Sequence, residues 1–302
     1  MGSYRLHLYT KGNSGPTIVL DHSLGGIEGY LLIDRLAELA RVCIYDRAGY
    51  GWSDHSPHPR TSRHIARELD TLLTQADIKP PYILVGDSFG SYNARLYACL
   101  FPEKVAGIVL TDALHEKGML RMPLALQALK LMFLSGFVIS IAASTLGMVR
   151  ILGALGVFEL LKPELRQCPQ NALAWVKRSF YRPKHWLTMG RELINLDTSA
   201  RQVAAAHHPF TIPIASIKAS SFFRPAFWTR LIPLNSANDL RDKMHLELRG
   251  LSSNYLEIEA GKSGHFVWID QPDVIITAVR TVLQRLDPMA PIHGGPDGKD
   301  TP

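Results

Sequence analysis

The stretch Tyr82-Ile83-Leu84-Val85-Gly86-Asp87-Ser88-Phe89-Gly90 reads as an apolar strand, a G-x-S-x-G turn and the opening of a helix. A serine hydroxyl is a poor nucleophile at neutral pH. A sharp strand-to-helix turn lifts it clear of the sheet, where a neighbouring base can take its proton. Such a turn needs small residues at Gly86 and Gly90, and it strains the backbone of the serine itself. It also aims the N–H groups at the head of the next helix toward the same point, where they favour developing negative charge. The chemistry implied is attack by Ser88 on an electrophilic carbonyl. Other chemistries lack their residues: there is no H-E-x-x-H and no G-x-x-x-x-G-K-[ST], and Gly49-Tyr50-Gly51-Trp52-Ser53-Asp54 lacks the third glycine of a dinucleotide turn. No cofactor or metal is implied.

The elements that must position Ser88 alternate along the first 112 residues. Tyr4–Thr10, Thr17–Leu20, Val42–Tyr45, Tyr82–Val85 and Val105–Leu110 have strand character; Glu28–Ala40, Ser62–Ala76 and Phe89–Leu100 have helical spacing, with Thr61 or Ser62 as cap. Short buried runs alternating with helices predict a parallel sheet covered on both faces. From Lys117 to Ala206 the pattern is helix after helix. Strand signals return at Ile212–Lys218 and Tyr255–Glu259, and helical ones at Asp239–Leu251 and Pro272–Leu286. The expected organisation is an α/β core over residues 1–116 and 205–287, a helical cap over 117–204, and a disordered Pro- and Gly-rich tail over 288–302.

Composition supports a folded chain with a sizeable core: 302 residues, 46% hydrophobic and 20% charged. Three distant cysteines without C-x-x-C suggest neither a disulfide framework nor a zinc site and point to a reducing, cytoplasmic setting. The net charge of +6 is concentrated in the cap, where residues 117–204 hold 12 Lys/Arg against 4 Asp/Glu. No basic run accompanies it, so nucleic acid is a poor partner and a membrane surface or anionic substrate a better one. The cap also contains Leu131–Val149, nineteen residues without a charge. Their length would span a bilayer, yet both ends of the block must rejoin one sheet, so a lid over an apolar pocket, or reversible contact with an anionic membrane surface, is expected instead. Ser221–Trp228, rich in aromatics, suits either the entrance or the core.

Three further motifs join the elbow in a resemblance to the α/β-hydrolase-fold family over about residues 4–286: Asp21-His22-Ser23-Leu24-Gly25-Gly26 after the early strand, Asp46-Arg47-Ala48-Gly49-Tyr50-Gly51-Trp52-Ser53 after the next, and Ser263-Gly264-His265-Phe266 near the end. The resemblance implies Ser88 as nucleophile, His265 as general base, and the N–H groups of Phe89 and Leu24 as oxyanion donors. Ser23 stands where the family usually has glycine, and would either narrow that hole or add a hydroxyl donor. No carboxylate directly follows the Ile212–Lys218 strand, where most members carry the triad acid. A branch of the fold takes it from the strand after the elbow, which here ends at Asp112; we expect Asp112 to orient His265, with Asp239, read as a helix cap, in reserve. Asp46 and Arg47 are expected to hold their turn, while Asp87 either lines the site or turns away to a basic partner. The function implied is hydrolysis of carboxylic esters with an apolar acyl or alcohol part. Lactone, thioester or carbon–carbon bond hydrolysis would use the same residues, and the reading from another class is a ligand-binding receptor or scaffold without significant turnover.

Overall fold

The computed structural model describes residues 4–222 and 233–286. Its centre is a sheet of β1 (Leu8–Lys11), β2 (Thr17–Asp21), β3 (Val42–Tyr45), β4 (Tyr82–Asp87), β5 (Val105–Thr111), β6 (Ile214–Ala219) and β7 (Tyr255–Ala260), in the order β1-β3-β2-β4-β5-β6-β7. Only β1 runs antiparallel, against β3. Side chains alternate between two cores, as a strand's period of two requires. Ile18, Leu20, Ile44, Ile83 and Val85 enter one, while Val19, Cys43, Leu84, Ile108 and Leu110 enter the other.

The helices are α1 (Ile33–Leu36), α2 (Ser62–Gln75), α3 (Phe89–Leu100), α4 (Glu116–Leu120), α5 (Leu124–Thr145), α6 (Met148–Ala154), α7 (Val157–Leu161), α8 (Gln170–Phe180), α9 (Pro183–Ile194), α10 (Leu196–Ala206), α11 (Leu234–Leu248), α12 (Val267–Asp270) and α13 (Pro272–Leu286). The first core is closed by α13, through Ile275, Val279 and Val282, and the second by α2 and α3, through Leu69, Leu73 and Tyr97. Helices α4–α10 all lie between β5 and β6, which are hydrogen-bonded neighbours, so the block leaves and re-enters the sheet at one place.

Three expectations are corrected. The helix expected over Glu28–Ala40 is a 3-10 turn at Glu28–Leu31 followed by the short α1. Glu28 through Ile33 are buried without a break, so the segment is shaped by packing on all sides rather than by one apolar face. The uncharged run Leu131–Val149 is not one helix: Gly147, at φ +76°, ends α5 and starts α6. Helix α11 begins at Leu234, so Asp239 is an exposed residue of its second turn and caps nothing. The run from Phe223 to Trp228 and the tail from Asp287 lie outside the described residues.

Candidate active site

The chain moves outward from β2 to β3 and then returns to place β4 on the other side of β2. The crevice beyond the carboxyl ends of β2 and β4 is therefore the point where the winding reverses, the natural ligand position of such a sheet. Leu24 follows β2 and Ser88 follows β4 at this point. Ser88 has φ 48° and ψ −108°, a conformation that L-residues rarely adopt, and its N–H is held by the carbonyl of Thr111 at 2.9 Å. The flanking glycines are required by close approach: a Cβ on Gly86 would lie 2.6 Å from the carbonyl oxygen of Gly90, and one on Gly90 would lie 2.2 Å from that of Asp21.

Asp112 sits one residue beyond β5 and is buried, with φ 37°. His265 lies on the loop after β7, where Gly264 N–H donates to Asp270 Oδ2 at 3.0 Å and His265 N–H to the carbonyl of Phe222 at 3.2 Å. The two loops bring Asp112 Oδ2 to 2.6 Å from His265 Nδ1, and His265 Nε2 to 2.9 Å from Ser88 Oγ. A carboxylate on Nδ1 fixes the proton there and leaves Nε2 free to accept from the Ser88 hydroxyl. Asp239 is not part of this line.

Asp112 has a second set of partners that the sequence does not disclose. Its Oδ1 accepts from the Ala219 N–H at 3.2 Å and from His245 Nε2 at 3.3 Å, and the Arg241 guanidinium is 3.9 Å away. Burial works against the charge of Asp112, but the hydrogen bonds from His245 and His265 outweigh it and hold the carboxyl below the ordinary carboxylate range. Arg241 and His245 are four residues apart on α11 and so share a face. Only the docking of that face over the end of β5 reveals their role.

The loop that carries Leu24 is organised by Arg47. Its guanidinium donates to the carbonyls of His22 at 2.7 Å and Ser23 at 2.8 Å, to Asp21 at 2.8 Å, and to both oxygens of Glu192 at 2.8 Å. Arg47 thus holds more than its own turn: it fixes the loop carrying Leu24 and ties it to α9. Asp46 holds the turn, accepting from the Trp52 N–H at 2.9 Å and from Tyr30. The backbone N–H groups of Leu24 and Phe89 have no hydrogen-bond partner among the described residues, so both are free to donate to a bound oxygen. Ser23 directs its hydroxyl to Glu28 Oε1 at 2.8 Å. Asp87 faces this same Glu28, an acid where a basic partner is one expectation. Burial first, then the charge and hydrogen bond of Glu28, push the Asp87 carboxyl well above its ordinary range.

The apolar wall comes from the helical block. Leu24 and Phe89 pack in one cluster with Phe133, Leu134 and Phe137 of α5 and Met189 of α9.

A strained serine between two strand ends, a histidine on it and a buried carboxylate behind the histidine define the class of site found in α/β-hydrolase-fold proteins. The family model described as alpha/beta hydrolase fold matches residues 16–151, and the chain has that fold. A protein of Bacillus subtilis strain 168, YqjL, is 39% identical over 107 residues, which make up 34% of this chain and 42% of that one. The chain therefore matches less than half the length of this relative. Among solved structures, the epoxide hydrolase CorEH is similar at a TM-score of 0.68 and 19% identity, covering 94% of this chain and 96% of that one. A thermophilic esterase from Thermogutta terrifontis reaches 0.64 at 15% identity, covering 94% of both. At these identities the structural likeness concerns the fold.

Proposed function

We propose that this chain is a serine hydrolase of carboxylic esters with an apolar acyl or alcohol part. The observation that carries the reading is the line Asp112–His265–Ser88, with links of 2.6 and 2.9 Å. Ser88 Oγ attacks the ester carbonyl as His265 Nε2 takes its proton, and the oxygen that gains charge is held by the N–H groups of Leu24 and Phe89. Collapse returns the proton from His265 to the leaving alcohol and leaves an acyl group on Ser88. Water, deprotonated by the same nitrogen, attacks the acyl carbon, and His265 returns that proton to Ser88 Oγ as the acid leaves. Asp112 stays ionised throughout, orienting the imidazole and stabilising the imidazolium.

One fold neighbour is an epoxide hydrolase and another an esterase, and the identity of the nucleophile favours the second chemistry. Opening an epoxide on serine would leave an ether, which water does not cleave under these conditions. Acylating serine leaves an ester, which water does cleave. The aromatic and aliphatic wall of Phe133, Leu134 and Phe137 supports an apolar substrate, and residues 117–204 are read as the cap that carries this wall. A chain-length series of p-nitrophenyl esters tests the reading. Turnover that rises from acetate toward medium chains and vanishes in Ser88→Ala supports it. No turnover of any member, with the protein folded, favours a binding protein on the same fold.

A further inference from the structure

Helix α5 is apolar on both sides but covered on only one. Leu126, Leu129 and Phe137 on its inner side are buried, while Leu124, Leu131 and Val138, seven residues apart and hence on one stripe, face outward. An all-round apolar helix is ordinarily buried in a core or in lipid. Here only 11% of the most apolar window of α5 lies inside the protein. The exposure continues beyond Gly147: Leu146 is 75% exposed, Ile151 60% and Leu155 74%. Twelve of the eighteen exposed large hydrophobic side chains among the described residues fall between Leu124 and Leu161. Monomers seldom display so concentrated a patch without a partner for it.

Charge identifies the partner. Every acid in residues 117–204 already has a cation: Glu192 holds Arg47, Asp197 holds Lys130, Glu159 holds Lys177 and Glu164 holds Lys162. Arg121, Arg150 and Arg166, which bracket and punctuate the apolar stretch, are exposed and form no ion pair among the described residues. A second copy of the chain would place this surface against itself and oppose its cations with no free acid. An anionic bilayer offers hydrocarbon for the leucines and phosphates for the arginines. Because β5 and β6 are neighbours in one sheet and the inner side of α5 is packed on the site, the helix would lie in the plane of the membrane surface and not across it.

We propose that the α5–α7 surface docks on anionic phospholipid bilayers, with α5 standing between the bilayer and Ser88. That the docked enzyme draws long-chain esters from the bilayer rests on the reading of Ser88 as nucleophile; the docking itself does not.

The test is sedimentation of the full chain carrying Ser88→Ala with vesicles of phosphatidylcholine alone and of phosphatidylcholine mixed with phosphatidylglycerol. The expected result is partition at least about tenfold stronger with phosphatidylglycerol present, weakening as salt is added. Val138→Glu with Ile139→Glu should abolish pelleting while the melting temperature, and the hydrolysis of a soluble short-chain ester in the Ser88 background, stay unchanged. Arg150→Glu should lower partition onto the anionic vesicles by roughly tenfold while leaving the weak binding to phosphatidylcholine. Equal recovery in the supernatant with both vesicle types at low salt overturns the proposal. So does a concentration-dependent dimer, seen without vesicles, that the Val138→Glu/Ile139→Glu protein fails to form. Vesicle binding in a wild-type protein that hydrolyses no ester would retain the docking and reject the reading of Ser88.

Discussion

Where α9 meets the sheet, Glu192 accepts two hydrogen bonds from Arg47 and one from Tyr50, with all three residues buried. Ser199 and Ser179 on the same block accept from the N–H groups of Ser62 and Gly51. Elsewhere in the block, Leu131, Val138 and Leu155 stand open to water with no polar group to satisfy. The two regions belong to one insertion but obey different constraints. The inner one fixes the loop carrying Leu24, and buried charge is tolerated there only because each group is paired. The outer one is free of that demand, so its composition reflects what it meets in solution. The block therefore has a docked half that holds the loop carrying Leu24 and a surface half that does not.

The largest expected effect lies at the strand ends that the docked half faces. Ser88→Ala or His265→Ala should lower ester turnover by about 10⁴-fold or more, and the double variant should lose little beyond either single one, because the two act as a unit. Steady-state kinetics on p-nitrophenyl butyrate measures this; additive losses would separate the two residues. Asp112→Asn should cost about 10²–10⁴ in kcat with the fold retained, while Asp239→Asn, exposed on α11, should leave kcat within about twofold. The reverse ranking would move the acid.

The contrast between the two halves is sharpened by stability. Glu192→Ala strips Arg47 of one of its two carboxylates in a buried setting and should lower unfolding free energy by about 3 kcal/mol. Ile139→Ser on the exposed stripe should change it by less than about 0.5 kcal/mol. Urea midpoints compare them directly, and equal losses would mean that the outer stripe is packed in solution.

The smallest effect concerns Asp87. A carboxyl whose folded pKa is raised supports the fold below its unfolded value of about 4 and loses that support as pH climbs toward the folded value. The amide introduced by Asp87→Asn does not titrate, so the melting temperature of this variant relative to wild type should improve as pH rises above about 4. A constant difference across that range would mean that Asp87 is ionised like any other carboxylate.

Much of this site is legible in the chain. The elbow glycines and the alternating strands are local signals: Phe89–Leu100 and Pro272–Leu286 are helices to the residue, and β3 matches Val42–Tyr45. The resemblance to a branch of the fold implies Asp112 as the acid, and its Oδ2 lies 2.6 Å from His265 Nδ1. What stays hidden depends on packing between distant segments. His245 carries no mark of its partner, 133 residues away, and Glu192 none of Arg47, 145 residues away. The pair Glu28 and Asp87 is hidden for a different reason: two acids sharing a buried corner contradict the ordinary expectation that a buried acid seeks a base.

Ser88 must be an activated nucleophile for any of this chemistry, and active-site labelling tests that most directly. A fluorophosphonate probe should add one phosphonyl group to the wild-type chain, located by peptide mass spectrometry to the tryptic fragment containing Ser88, and none to Ser88→Ala. Wild-type protein that remains unlabelled alongside a reactive control esterase, or that is labelled at another serine, would contradict it.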